Sequence, residues 1–310
     1  MPNINNQPFL NYSGYLKQKY GTKAYRVSVD AGFSCPNRGS RSNAGCTFCD
    51  EHGARAPYLG NKRELKNQID GGMAFMQKRY GAKIFLLYFQ AFSSTHASVA
   101  KLKQLYSYAL GLGNFRELIV STRPDCIDKE KADLLASYRT AQREVWVELG
   151  LQSIHNRTLK RIRRGHGTDD FFSAYKLLRE RGIHIAPHVM FGFPGETERD
   201  IMKTITELAK LRPDGIKIHN LNIPRDTHMH FEYMLGELTV PSMNRHIDYV
   251  CSALELLPND TVIMRLTCDT PSENRIAPKN IIEKSRFYSM VRDRMLKSGR
   301  KQGRLFIGQC

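Results

Sequence analysis

Six stretches of the chain are apolar and rich in β-branched or aromatic residues: AYRVSVDAG (24–32), KIFLLYFQ (83–90), ELIVSTR (117–123), EVWVELGLQS (144–153), HIAPHVMFGF (184–193) and DGIKIHNLNI (214–223). Short apolar runs of this kind predict buried strands. Between them, apolar residues fall at helical spacing in NKRELKNQIDGGMAFMQKRYG, HASVAKLKQLYSYAL, TDDFFSAYKLLRERG and TERDIMKTITELAKL, the third closing on Gly182 as a helix stop. Strands alternating with helices predict a parallel sheet with right-handed crossovers, and six such units fall short of the eight that close a barrel. The expected fold is α/β, a partial (β/α)6 TIM-type barrel over residues 1–230; a doubly wound sheet fits the same pattern. Beyond it, PSMNRHIDYVCSALELL is amphipathic, TVIMRLT is a candidate added strand and NIIEKSRFYSMVRDRMLKSGRKQGRLF is a basic helix with a tail. These form an expected small C-terminal α/β extension, 231–310, packed on the barrel.

Composition adds a partner class. Hydrophobic residues make up 41% and charged residues 25% of the 310, which describes a soluble globular chain. No apolar run reaches the roughly 18 residues of a membrane span, and the N-terminus lacks a signal-peptide layout, so a cytoplasmic protein without membrane contact is expected. The 47 Lys and Arg against 30 Asp and Glu give a net charge of +17. Such a field draws polyanions, with RNA the leading partner, although a basic surface also serves solubility alone.

Chemistry concentrates in one loop. Of seven cysteines, Cys35, Cys46 and Cys49 crowd into CPNRGSRSNAGCTFC, within a candidate cluster loop (33–50) at the C-terminal end of the first strand. An odd count with local crowding points to metal or redox chemistry rather than a disulfide framework. Barrels carry their chemistry on that face. Three thiolates leave one iron of a cubic 4Fe–4S cluster open, whereas a zinc site of three cysteines completed by His52 fits the spacing equally. Cys126, Cys251, Cys268 and Cys310 show no ligand spacing.

Taken with STRPD after the third strand, ELGLQS followed by RIRRGH at the fourth and HVMFGFPGET at the fifth, the cysteine loop resembles the radical S-adenosylmethionine (SAM) superfamily. The resemblance is strongest to its YhcC/YtqA-type proteins, which are related to the Elp3 branch. It implies that Cys35, Cys46 and Cys49 bind a 4Fe–4S cluster. The methionine group of SAM would chelate the fourth iron, and an electron would cleave SAM to a 5'-deoxyadenosyl radical. The gap of ten residues between Cys35 and Cys46 is longer than the superfamily's common three and matches the YhcC type. Phe48 stands where the superfamily often has an aromatic residue.

The resemblance also implies SAM contacts. Gln90, with Ser93 and Ser94 nearby, replaces a Gly-Gly-Glu that binds the methionine amine in many relatives. Gln152 and Arg164 match residues that meet the ribose and carboxylate, and Ser121, with Arg123, follows the third strand. His188 sits where a ribose-binding residue is often found, and FGFPGE resembles the turn flanking the adenine. Glu148 shares a strand face with Gln152, and reads equally as a SAM contact or as a structural charge pair at the barrel floor. The implied function is radical chemistry on RNA, at the C5 substituent of a tRNA wobble uridine, with a reducing donor such as flavodoxin or ferredoxin. The alternatives are a radical SAM enzyme acting on a small molecule, tetrapyrrole or protein, and a zinc-stabilised RNA-binding protein without catalysis. The basic runs Lys160, Arg161, Arg163, Arg164 and Lys297, Arg300, Lys301, Arg304 read either as phosphate guides or as solvated faces.

Overall fold

The computed structural model describes residues 7–40, 43–49, 59–60, 64–268 and 272–308. The chain opens with α1 (Tyr12–Tyr20) and β1 (Ala24–Val29), followed by the two-stranded hairpin β2 (Arg38–Ser40) and β3 (Asn43–Ala44). Strands and helices then alternate: α2 (Leu65–Tyr80), β4 (Ile84–Phe89), α3 (Val99–Gly111), β5 (Phe115–Thr122), α4 (Lys129–Ser137) and β6 (Glu144–Gln152). Next come α5 (Asn156–Arg161), α6 (Thr168–Glu180), β7 (His184–Phe191), α7 (Glu198–Lys210), β8 (Gly215–Asn220), β9 (Ile223–Pro224) and α8 (His228–Met234). The chain ends through α9 (Met243–Leu256), β10 (Val262–Arg265), β11 (Arg275–Ala277) and α10 (Lys284–Lys297).

Seven strands form one sheet in the order β1-β4-β5-β6-β7-β8-β10, with every neighbouring pair parallel. The six expected strands are all present, and TVIMRLT supplies the seventh, so the C-terminal region shares the barrel's sheet. The two edge strands are bridged by α1, which packs on both β1 and β10, with Asn11 pairing to Ile263. The sheet is thus curled into a partial barrel.

Period-two alternation sorts the strands into two faces. On β6, Val145, Val147, Leu149 and Leu151 face outward into the main core shared with the helices, and on β8 Ile216 and Ile218 do the same. Helix α7 shows why a helix forms there: Thr197 and Asp200 cap its first turn reciprocally, and Ile201, Ile205 and Leu208 give it a buried stripe against the sheet.

The inward residues form layers. At the bottom, Leu16 of α1 joins Leu86, Ile119, Trp146, Ala186, Val262 and Met264, with Tyr12, Tyr15 and Tyr20 beside them. Tyr15 meets Trp146 edge-on at 6.2 Å, so α1 plugs the N-terminal end of the barrel. At the opposite end a second cluster of Leu159, Ile162, Met190, Phe193, Leu221, Ile223, Met229, Leu238 and Ala277 is flanked by Phe48. Between the two lies a charged layer.

Candidate active site

The cysteine loop sits where the sequence places it, after β1. Hairpin pairing of Arg38 with Ala44 folds the ten-residue gap back on itself, so Cys46 returns to the neighbourhood of Cys35. A turn at each end is closed by backbone bonds, Arg38 N to Cys35 O (2.9 Å) and Cys49 N to Cys46 O (3.1 Å). The Arg38 guanidinium ties the two turns together by donating to Cys49 O at 2.6 Å. The loop is anchored outside itself by Thr47 N to Ile162 O (3.0 Å) and Met229 N to Thr47 O (3.0 Å). Phe48 packs on Phe193 of the FGFPGE turn, with ring centroids 5.6 Å apart.

Cys46 is buried, and Cys35 and Cys49 are half-buried. Arg164 Nη1 and Asn37 Nδ2 donate to Cys46 Sγ at 3.5 and 3.4 Å. Burial pushes the Cys46 thiol up, but the Arg164 charge and bond, the Arg123 charge and the Asn37 bond outweigh it, and the thiol is held below its usual range. Arg164 is itself fixed: Nη2 donates to Gly150 O (2.9 Å) and Nε to His166 Nε2 (2.9 Å). Burial and the adjacent Arg164 lower His166 to about 4, so the ring is neutral and its Nε2 accepts. Two glycines make room for these contacts. A Cβ on Gly150 would stand 2.6 Å from Arg164 Nη2, and one on Gly165, which has φ of 76°, would stand 2.5 Å from Asn37 Oδ1.

Arg123 lies in the same pocket of charge. It forms a two-pronged pair with Asp125 through Nε (2.9 Å) and Nη2 (2.8 Å). Its Nη1 is buried without a partner; burial works to lower its pKa, but the Asp125 bond and charge, followed by Cys35 and Cys46, raise it. A buried donor without an acceptor is costly. This orphan, together with two donors on Cys46, fits the loop to an anionic metal–sulfur group. Among the described residues no three His, Cys, Asp or Glu side chains converge to cage a single metal ion; a four-iron cube is larger and holds its thiolates further apart. His52 lies outside the described residues.

The other expected contacts lie at the C-terminal ends of β4 to β7. Gln90 follows β4 directly, bonded through its backbone N to Val29 O (3.3 Å), and its side chain is half-buried. Ser93 and Ser94 are fully buried and brace the loop: Ser93 Oγ meets Thr122 Oγ1 (2.9 Å) and Ser94 Oγ donates to Phe89 O (3.2 Å). Ser121 is half-buried on β5, its carbonyl accepting from Ser94 N. In β6 the register breaks between Gly150 and Gln152, and Gln152 adopts φ of 78°, a strained value for a side chain other than glycine. Its Nε2 lies 3.2 Å from where a Gly150 Cβ would stand, beside Arg164. Glu196 of FGFPGE accepts a hydrogen bond from Ser153 Oγ.

Glu148 stands deeper, in the charged layer, fully buried. It pairs with Arg26 (2.7 Å) and Lys217, accepts from Tyr88 OH, and meets His188 Nε2 at 3.2 Å. Burial pushes its carboxyl up, but Lys217, Arg26 and His188 hold it well below the usual range. His188 is therefore joined to Glu148, and burial with the Lys217 charge lowers it to about 4. Asn37, His166, Arg26, Tyr88 and Lys217 were not singled out by sequence. Lys217 was detectable as a charged residue at an inward position of β8, between the outward Ile216 and Ile218.

A family model described as the radical SAM superfamily matches residues 37–208. The chain belongs to the radical SAM superfamily. A radical SAM C-terminal domain model matches residues 213–297. An uncharacterised protein of Methanocaldococcus jannaschii is 35% identical, covering 96% of this chain and 92% of its own length. YtqA of Bacillus subtilis is 33% identical over 96% of this chain and 92% of its own length, and YhcC of Escherichia coli 33% over 86% and 85%. The fold of this radical SAM enzyme matches that of the archaeal Methanocaldococcus infernus Elp3, with a TM-score of 0.72 at 20% identity, covering 90% of this chain and 64% of that one. A tRNA uridine(34) acetyltransferase of the same organism is 31% identical over half of this chain and 29% of its own length. Members of the superfamily use a 4Fe–4S cluster and SAM. Among the described residues no helix is long and apolar enough to cross a membrane.

Proposed function

We propose that the chain holds a 4Fe–4S cluster on Cys35, Cys46 and Cys49, binds SAM at the iron these leave open, and modifies the C5 substituent of a tRNA wobble uridine. The observation that carries the cofactor reading is the pair of donors on Cys46 Sγ beside the unpartnered Nη1 of Arg123. Bound together, cluster and SAM supply a carbon-centred oxidant for hydrogen abstraction.

The chain's own residues bind, orient and shield. Arg164 and Asn37 hold Cys46, and Phe48 with Phe193 closes an apolar wall beside the loop. Gln90, Ser121 and Gln152 bring polar ends to one rim. Arg164 is engaged by Gly150, His166 and Cys46, which makes Arg123 Nη1 the open cationic donor for a carboxylate. His188 and Glu148 act from below the rim.

The tRNA reading is supported by the net charge of +17 and by the partial similarity to a tRNA uridine(34) acetyltransferase. The matched segment is half of this chain, so the acetyl-transfer reaction itself is not carried over. Anaerobic purification tests the cofactor: a brown protein that loses iron in Cys49→Ala is expected, and a colourless protein with stoichiometric zinc would refute it. Release of 5'-deoxyadenosine that rises on adding bulk tRNA, with an altered wobble nucleoside in a deletion strain, is expected for the substrate. An unchanged wobble profile across growth conditions would refute that half.

A further inference from the structure

The interior of the barrel between β7, β8 and β10 holds side chains that the cysteine-loop site does not use. Alternation along β8 turns Lys217 and His219 inward. Parallel register sets Lys217 beside His188 on β7 and beside Arg265 on β10. Lys217 Nζ reaches Tyr88 OH at 3.0 Å, and the rings of His188 and His219 stack with centroids 5.7 Å apart.

Two members of this group lack a counterpart. Arg265 is half-buried, and its side chain makes no hydrogen bond or ion pair among the described residues. His219 Nε2 is shut from solvent with no partner. The carboxylate of the layer, Glu148, is already engaged by Arg26, Lys217, Tyr88 and His188. Glu148 is thus taken up by Arg26 and by Lys217, whose ammonium burial pushes well below its usual range, and the Arg265 guanidinium is left facing His188, His219 and Lys217. A half-buried guanidinium with no counter-charge is unfavourable, and an anion beside it removes that penalty.

We propose that Arg265 and His219 form an oxyanion site in the barrel lumen that takes a carboxylate or phosphoryl group of the substrate. This rests on the reading of the barrel interior as the substrate chamber of a radical SAM enzyme. The planar fork of Arg265 offers two parallel N–H donors, the geometry a carboxylate matches. Burial, followed by the Arg265, His188 and Lys217 charges, holds His219 well below its usual range, so it is a neutral ring. With its proton on Nε2 it adds a third donor. Recognition deep in the lumen, below the rim, would fix the substrate's reacting carbon by its anionic end.

The test is calorimetric titration of the anaerobically purified, cluster-loaded full chain with sodium acetate and, separately, inorganic phosphate, at fixed ionic strength. Charge-assisted bonds of this type contribute about 1.5–3 kcal/mol, so Arg265→Gln is expected to weaken anion binding about tenfold or more. Lys101→Gln, on the exposed face of α3, should match the unmodified protein. Tighter acetate binding assigns a carboxylate, and tighter phosphate binding a phosphoryl group. His219→Leu should weaken the same anion and His219→Gln restore part of it, which keeps the test open where Arg265→Gln fails to fold. Saturable binding absent from the unmodified protein, or equal in Arg265→Gln, overturns the proposal. So does loss of SAM binding in Arg265→Gln without substrate, since the guanidinium would then serve the cofactor. Failure of the unmodified protein to cleave SAM would defeat the functional reading and leave the anion titration standing.

Discussion

Arg26 Nη1 lies 2.7 Å from Glu148 Oε1, joining β1 to β6 across the barrel interior. Glu148 is out of water and Arg26 largely so, and Lys217 approaches the same carboxylate from β8. Removing one partner of such a set leaves the others buried and charged, which costs about 3–5 kcal/mol. We expect Glu148→Gln to destabilise the fold by that amount, seen as a lowered urea midpoint. A loss under about 1 kcal/mol, the range of an exposed pair, would mean that the layer is hydrated and plays no structural part.

Gly150 lets the β6 backbone meet Arg164 closely. Gly150→Ala would place a methyl group 2.6 Å from Arg164 Nη2. The guanidinium must then move, and with it the bonds to Gly150 O and Cys46 Sγ. We expect a stability loss of about 1–3 kcal/mol, as for other overpacked sites. We also expect iron per chain to fall after gel filtration. Full iron retention with the same stability loss would show that Arg164 does not support the cysteine loop.

The six strands and the four helices between them were legible because their periodicity is strong, and so were the amphipathic α9, the added strand β10 and the basic helix α10 of the C-terminal region. Helix α1 was not, since YSGYLKQKY is short and polar; it is held by the tertiary contacts of Leu16 and its tyrosines at the barrel end. The three cysteines were legible as a group, yet the reason their long gap works, the Arg38–Ala44 hairpin pairing, has no signal in CPNRGSRSNAGC beyond its glycines. Arg164 was expected to meet a carboxylate; its bonds to Cys46 Sγ and Gly150 O had no signal in the sequence. A partner set by a fold 118 residues away in sequence leaves no local trace. Glu148 posed the same problem: alternation placed it inward, but only the tertiary structure brings Arg26 and Lys217 to it.

The basic run after β6 does not act as one patch. Arg161 pairs with Glu232 (2.9 Å), Arg163 meets His228 (3.0 Å) and Arg164 is buried, which leaves Lys160 exposed. Each phosphate contact contributes about one unit to the slope of log affinity against log salt. On the tRNA reading we expect Lys160→Ala to reduce that slope by about one, measured by filter binding between low and physiological salt. An unchanged slope would remove this helix from the tRNA interface.

His246 gives the fold a pH dependence apart from the cysteine loop. Its ring is buried on α9, stacked 5.4 Å from Phe287 and edge-on to Phe191 at 5.9 Å, with Nε2 bonded to Leu266 O at 2.8 Å. Burial lowers it to about 4, and the Leu266 bond opposes that only in part. The unfolded chain titrates near the ordinary value of 6.5. Above 6.5 both states carry neutral rings. Between 6.5 and about 4 the unfolded state takes up the proton first, so stability falls as pH falls. The full loss from this residue is about 3 kcal/mol. In His246→Phe the Leu266 carbonyl loses its donor, a cost of about 1–3 kcal/mol at pH 7. The variant has no ring to protonate there. We therefore expect its deficit at pH 7 to shrink by pH 5 and to vanish or reverse near pH 4, followed by urea unfolding at each pH. Parallel curves for the two proteins would place the charge change elsewhere, in His188 or His166, whose rings are also lowered to about 4.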